Sequence, residues 1–146
     1  MSTPAFDDVQ VGDALPGQSF PITRADLVRY CGASGDFNTI HWSERIAREV
    51  GLPGVIAHGM FTMATAVRVV TSWVGDPGAI VQYGVRFTKP VPVDDVLGAT
   101  LDVAAVVAAK DEEARTVRVD LTATTPGPNG APVGVLGRAR AVVRLP

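Results

Sequence analysis

Cysteine is almost absent from this chain of 146 residues, and that scarcity already limits its biology. The single cysteine, Cys31, cannot form an internal disulfide, which suits a reducing compartment. The first 13 residues contain three aspartates and no cationic segment ahead of an apolar run, so they do not resemble a secretory signal. We therefore expect a cytoplasmic protein.

The sequence also lacks a long uninterrupted hydrophobic run and an excess of one charge. Its longest apolar stretch, residues 55–74, is interrupted by His58, Arg68, Thr71 and Ser72, which favours a buried helix over a membrane span. Lys and Arg number 13 against 15 Asp and Glu, a formal charge of -2. Domains that bind nucleic acid usually carry a basic face, so neither a membrane nor a nucleic acid is expected as a partner.

Internal repeats, low-complexity linkers, metal-ligand clusters and phosphate-binding glycine loops are missing as well. What remains is a chain of the length of one domain, 47% hydrophobic, which is enough for a sizeable core. The sequence therefore predicts a single domain over residues 1–146 that holds no metal.

The first half of the chain carries helical patterns. Thr23 and Asp26 have the spacing of a helix N-cap and its N3 acid, and the helix they begin is expected to end near Gly32. A short helix over residues 44–50 and a long one over residues 58–73 follow. The long helix is apolar on nearly all sides, which predicts that it is buried on most of them.

The second half alternates between apolar and polar residues, as strands with one exposed face do. Strands are predicted over residues 80–88, 97–108, 117–123 and 133–145, and residues 6–20 form an entry loop or an edge strand. The expected fold class is α+β, with an antiparallel sheet curved around the long helix.

Two histidines, His41 and His58, are the only ones in the chain, and Asp36 precedes His41 on the same predicted loop. A carboxylate and an imidazole that converge on one water can accept and deliver protons. Taken alone, Asp36 is better explained as a turn residue and His41 as a structural histidine.

Gly59 lies at the start of the long helix, next to His58. A glycine there lets a ligand approach the backbone, and the first N–H groups of a helix have no partner inside it. They could stabilise negative charge on a thioester oxygen. Tight packing at a helix start is the alternative, and it is preferred when the feature is taken alone.

The combination of these spacings resembles a known family. Residues 35–41 (GDFNTIH), with Ala47 downstream, and residues 57–60 (AHGM) are similar to the motifs of MaoC-like (R)-specific enoyl-thioester hydratases. The similarity extends over nearly the whole chain, and within the family it is greatest to catalytic β subunits of bacterial (3R)-hydroxyacyl-ACP dehydratases. Thr39 stands where the family usually has proline, and Val67 where some members have serine.

The resemblance implies a hot-dog fold, in which the sheet wraps around the long helix, and a dimer as the working unit. It also implies that Asp36 and His41 are the catalytic pair and that the Gly59 amide polarises the thioester carbonyl. His58 is interpreted as a structural residue that caps the helix, and Asn38 as the residue that holds the loop. Three residues of the motif belong to the substrate-binding side: Asn38, His58 and Met60.

Several other candidates favour ordinary structural roles. Cys31 is expected to pack in the core, and Trp42 and Trp73 to lie in the core or an interface. A group of basic residues could meet a phosphate-bearing carrier, although alternating arginines on a strand are more typical of a solvated face: Arg86, Lys89, Arg138, Arg140 and Arg144.

The implied reaction is the reversible dehydration of a (3R)-3-hydroxyacyl thioester to a trans-2-enoyl thioester. The substrate would be an acyl-CoA or an acyl-ACP, and no cofactor is expected because the thioester itself provides carbonyl activation. The working unit would be a homodimer, or a heterodimer with a related hot-dog subunit. Two alternatives remain: a non-catalytic or partner-dependent acyl-binding subunit, and a hot-dog thioesterase.

Overall fold

The computed structural model describes residues 3–146, so the first two residues of the predicted domain lie outside it. One antiparallel sheet dominates the structure, and helices lie on its concave side or at its margin. This is the α+β arrangement that the sequence predicts. Among the described residues, no helix is both long and apolar enough to cross a bilayer.

Six strands form the sheet in the order β1-β3-β4-β6-β2, with β5 paired to β4. All the pairings are antiparallel. The strands alternate between buried apolar and exposed polar side chains, so one face of the sheet forms the core and the other faces solvent. The strands are β1 (Ala14–Ile22), β2 (Ile80–Phe87), β3 (Ala99–Asp111), β4 (Thr116–Pro126), β5 (Pro132–Gly134) and β6 (Leu136–Arg144).

Helix α1 (Arg24–Ser34) begins at the predicted capping box, in which Thr23 accepts from the Asp26 backbone and Asp26 accepts from the Thr23 backbone. It continues past Gly32, where the sequence predicted its end, and stops at Gly35 in the left-handed conformation. A glycine inside a helix costs about 1 kcal/mol relative to alanine, which does not suffice to break a helix that is anchored at its start. Helix α2 (Glu44–Glu49) is short and capped by Ser43.

Helix α3 (Gly59–Val74) is the predicted long helix, and it packs against the concave face of the sheet. Most of its side chains are buried or half-buried. A narrow stripe at intervals of four residues stays exposed: Met60, Ala64, Arg68 and Ser72. The Tyr83 hydroxyl donates to the Met63 carbonyl at 2.9 Å and ties β2 to this helix.

The last predicted strand, residues 133–145, is wrong in one respect, because the structure divides it into β5 and β6 at Val135. The Val135 amide donates to the Ala123 carbonyl, and its own carbonyl accepts from the Thr88 amide. Before Val135, β5 pairs only with β4 in the described part of the chain; after it, β6 lies between β4 and β2 and pairs with both. This change of partners interrupts the ladder of hydrogen bonds.

Candidate active site

The loop after α1 is shaped by its own polar side chains. Gly35 has a φ of 76°, which allows the chain to reverse directly into Asp36. The Asn38 backbone N–H donates to Asp36 Oδ1 at 3.1 Å, and the Asn38 side-chain Oδ1 accepts from the Ile40 backbone N–H at 3.3 Å. Asn38 therefore holds the loop, and its side chain contacts the protein backbone.

His41 ends this loop, in a short 3₁₀ turn, and its side chain is buried. Its Nδ1 lies 2.8 Å from the Ile56 carbonyl oxygen. Because a carbonyl can only accept, Nδ1 carries the proton, and in the neutral ring Nε2 retains its lone pair. The hydrogen bond to Ile56 thus prepares Nε2 to act as a base.

The side chains of Asp36 and His41 lie close together where the buried His41 ring approaches the protein surface. A carboxylate oxygen of Asp36 and a ring nitrogen of each histidine, His41 and His58, all lie within 4.8 Å of one another. Asp36 itself is exposed, whereas both histidines are buried. The acid therefore stands at the solvent side of the imidazole pair.

A cleft of about 350 Å³ opens beside His41 at the N-terminus of α3. Gly59 forms part of its wall and packs so closely on Phe87 that a Cβ at Gly59 would lie 3.1 Å from the ring. The first amides of α3 have no partner within the helix, and they begin at this wall. The cleft combines a potential base with free backbone donors, and its other lining residues include Ile56, Ala57, Thr62, Thr88, Lys89 and Leu136.

His58 lies behind His41 and does not line the cleft. The two rings stack with centroids 3.8 Å apart at 24°, and His58 Nε2 lies 3.2 Å from the Asp36 carbonyl oxygen and 3.5 Å from Cys31 Sγ. His58 occupies the N-cap position of α3, but its side chain makes no capping bond to residues 3–146. The prediction that His58 caps the helix is therefore right about its position and wrong about its side chain, which makes no capping hydrogen bond to the described residues.

Burial lowers the pKa of His58 below its usual value of 6.5, and the neighbouring His41 lowers it further. The hydrogen bond to the Asp36 carbonyl and the charge of the Asp36 carboxylate act in the opposite direction but do not reverse the shift. His58 is thus a neutral residue near pH 7.

The structure separates the remaining motif residues from the cleft. Met60 belongs to the exposed stripe of α3 and, like Asn38, does not line the cleft. Asp36 does not line the cleft either and lies beside it through its proximity to His41. Sequence reasoning missed Thr62, which is buried in the cleft wall and donates to the His58 carbonyl at 3.2 Å. Its position three residues after Gly59 places it on the same helix face, and that spacing was the available signal.

Asp36, His41 and His58 each offer one atom that could bind a metal ion, and these three atoms lie within 4.8 Å of one another. The two imidazole planes, however, are nearly parallel. One nitrogen of each ring already faces a backbone carbonyl oxygen, which leaves His41 Nε2 and the buried His58 Nδ1 as the ring atoms that could bind a metal. The geometry fits proton transfer better than coordination of a metal.

The basic residues named from the sequence fall into different places. Lys89 lines the cleft. Arg86, Arg138 and Arg140 border a separate concavity on the outer face of the sheet together with Arg118, which pairs with Asp120. These arginines occupy the solvent face that their alternation predicts.

Comparison with known proteins agrees with the fold. A family model described as a MaoC like domain matches residues 9–125, most of the chain. The chain therefore belongs to the MaoC-like dehydratase family, and its fold is the hot-dog fold expected from the sequence.

Three relatives illustrate the similarity. The 3-hydroxyacyl-thioester dehydratase X of Mycobacterium tuberculosis is 42% identical over 76 residues, which cover 52% of this chain and 26% of that protein. The (R)-specific enoyl-CoA hydratase of Rhodospirillum rubrum is 30% identical over 106 residues, 72% of this chain and 73% of that protein. A solved structure of a MaoC-like dehydratase has a TM-score of 0.93 and 42% identity, covering 99% of this chain and 43% of the other. The chain thus spans less than half of two of these relatives.

Proposed function

We propose that this protein catalyses the reversible hydration of trans-2-enoyl thioesters to (3R)-3-hydroxyacyl thioesters. The observation that carries the proposal is the meeting of the Asp36 carboxylate with the His41 imidazole beside the cleft at the start of α3. The names of the relatives, a thioester dehydratase and an (R)-specific enoyl-CoA hydratase, support the same reaction.

In the hydration direction, a water molecule lies between Asp36 and His41. The ionised carboxylate and the unprotonated Nε2 can both only accept hydrogen bonds, so they take the two hydrogens of the water. A carboxylate oxygen of Asp36 and a ring nitrogen of His41 lie within 4.8 Å of each other, which suits a single bridging molecule, because each O–H···O or O–H···N bond spans about 2.8 Å. The oxygen lone pairs are then free to attack C3.

Attack forms the C3–O bond and moves the π electrons of the C2–C3 double bond toward the thioester oxygen. One side chain of the pair takes a proton from the attacking water, and C2 then receives a proton, so that one water is added in total. The Gly59 amide, at the positive end of α3, stabilises the enolate-like oxygen. In the reverse direction the same groups remove the C2 proton and protonate the leaving hydroxyl.

The central test removes each member of the pair in turn. We expect Asp36→Asn and His41→Ala each to reduce kcat for hydration of an enoyl-CoA by at least ~100-fold, because the water loses one of its two acceptors. Glu112→Gln is the matched control: it also removes a carboxylate charge, but in the exposed turn after β3. Hydration is followed by the loss of enoyl absorbance, and circular dichroism checks the fold.

Near-normal hydration by either variant would refute the assignment of the pair. The same reactions distinguish the thioesterase alternative, because a thioesterase releases free thiol and a hydratase does not. We expect a thiol reagent to detect no release above the level of an enzyme-free reaction.

The exposed position of Asp36 favours a second subunit over the site. Large apolar side chains surround the loop and the cleft mouth, each at least half exposed: Phe37, Trp42, Met60 and Phe87. A related hot-dog subunit that covers them would exclude water from the reacting atoms and enclose the acyl chain. The intact pair favours a catalytic subunit over a purely acyl-binding one, as a homodimer or with a related partner, acting on acyl-CoA or acyl-ACP.

A further inference from the structure

His58 is the one histidine that the proposed reaction leaves without a role, although it is buried more deeply than His41. Its side chain is 2% exposed, and the proton-transferring pair lies directly against it. Neither its helix-cap position nor the cleft accounts for this burial, since it makes no capping bond to residues 3–146 and does not line the cleft.

The hydrogen-bond partners of His58 define its tautomer. The Asp36 carbonyl oxygen can only accept, so Nε2 carries the proton and donates to it at 3.2 Å. Cys31 Sγ lies 3.5 Å from the same nitrogen. Nδ1 is buried and has no partner among residues 3–146, so a proton placed there would lack an acceptor. The ring is therefore held neutral in a single tautomer.

Two consequences for catalysis follow from this placement. Because Nε2–H holds the backbone of Asp36, the start of α3 fixes the position of the acid relative to His41. Because the ring stacks on His41, it also restricts rotation of the base. The groups that face His58 are the Asp36 carboxylate and carbonyl, the His41 ring, the Cys31 thiol and the Tyr30 ring.

We propose that His58 is a positioning residue, which acts as a neutral Nε2–H donor to the Asp36 backbone and as a stacking surface for His41. The inference rests on the proposed function, since it concerns how the same acid and base are held. A displacement of about 1 Å in such a pair costs on the order of 100-fold in rate. Loss of either contact should therefore lower kcat strongly while it changes substrate binding little.

The two roles are separated by a pair of substitutions. His58→Phe retains a ring to stack on His41 but has no donor, whereas His58→Gln retains an N–H donor but has no ring. We expect each to lower kcat on an enoyl-CoA by about 10-fold or more with KM changed by less than about 3-fold. Cys31→Ala is the control: it removes the sulfur contact and leaves the Asp36 hydrogen bond, so it should retain kcat within about 2-fold.

Nuclear magnetic resonance provides a readout that does not depend on activity. The chain has two histidines, so each variant of His58 leaves a single imidazole, that of His41. In the unmodified protein we expect the ¹⁵N shifts of His58 to show a neutral Nε2–H tautomer near pH 7, with protonation only below its usual pKa of 6.5. In His58→Gln, which has no ring, the His41 signals should broaden or shift, because the imidazole has lost its stacking partner. In His58→Phe, which keeps a stacked ring, they should change less.

Several outcomes would overturn the proposal. It fails if His58 titrates near pH 6.5, if it adopts the Nδ1–H tautomer, or if both variants keep normal kcat with the His41 signals unchanged. It also fails if Cys31→Ala costs as much as the His58 variants, since the effect would then be one of general packing. A protein inactive on every thioester would refute the proposed function, while the tautomer and the His41 signals would still test the positioning.

Discussion

Two imidazoles stacked 3.8 Å apart cannot both be positively charged without strong mutual repulsion. The residue with less access to water is the one that stays neutral, and His58 has the burial and the lowered pKa that this requires. In the proposed reaction, His41 is the histidine that exchanges protons at the cleft. The division of roles between the two histidines follows from their surroundings.

The buried neutral state of His58 predicts a loss of stability in mild acid. Its folded-state pKa lies below the unfolded value of 6.5, so between the two values the unfolded chain binds a proton that the folded chain does not. Stability contributed by neutral His58 is complete above about pH 6.5 and declines as the pH falls through that window. Urea denaturation at several pH values measures the effect.

His58→Gln supplies the control for this measurement, because glutamine does not titrate. The variant should be less stable than the unmodified protein at pH 7.5, and the difference should become smaller between about pH 6.5 and 5. A difference that stays constant over this range would show that His58 titrates alike in the folded and unfolded chains.

The sequence identified the residues that share a local motif and missed those contributed by distant strands. Asp36 and His41 lie on one loop, so their spacing alone brought them together. Phe87 and Leu136 reach the cleft only because β2 pairs with β6, and nothing in their own neighbourhood indicates it. The roles of Asp36, His41 and Gly59 in the reaction remain predictions.

At the scale of elements, α1 positions Asp36, because the C-terminus of the helix determines where the loop that carries Asp36 begins. The helix contains one glycine in its interior, Gly32, and ends with a second, Gly35. A Cβ at Gly32 would meet no atom within 4 Å, so that glycine serves no steric purpose. Gly35 has a φ of 76°, which disfavours any residue with a side chain.

The two glycines should therefore respond to alanine with opposite signs. Gly32→Ala is expected to raise the free energy of unfolding by about 0.5–1 kcal/mol, since alanine has the higher helix propensity. Gly35→Ala should lower it by about 1 kcal/mol or more and disturb the loop that carries Asp36. Chemical denaturation measures both, and the interpretation is wrong if the two changes have the same sign.

Helix starts were predictable from the sequence because caps are local chemistry, whereas helix and strand ends depended on the tertiary structure. The Thr23 capping box was identified from two residues. By contrast, the interruption at Val135 reflects a change of partner between neighbouring strands, and alternation of apolar residues continues through it unchanged. Hydrophobic periodicity therefore found the strand but not the break.

At the scale of the whole molecule, the sheet leaves one edge beside the candidate site. Among residues 3–146, β2 pairs only with β6, so its other side presents backbone donors and acceptors. Phe87 ends this strand at the cleft. An edge of this kind readily pairs with a strand of another chain, which would also bring a second subunit close to Asp36.

We expect the protein to be a dimer joined along β2, with a mass by light scattering of twice the 15.3 kDa of the chain. Val81→Lys, at a half-exposed position on this edge, should produce the monomer, because a charge on an edge strand opposes pairing. Its hydratase activity should decrease together with the dimer, since the acid would be left open to solvent.

Val106→Lys is the matched control: Val106 is similarly exposed but lies on β3, between β1 and β4. If Val81→Lys remains dimeric and fully active, the edge of β2 is not the interface. If the unmodified chain is a monomer that gains activity only with a second hot-dog protein, the working unit is a heterodimer.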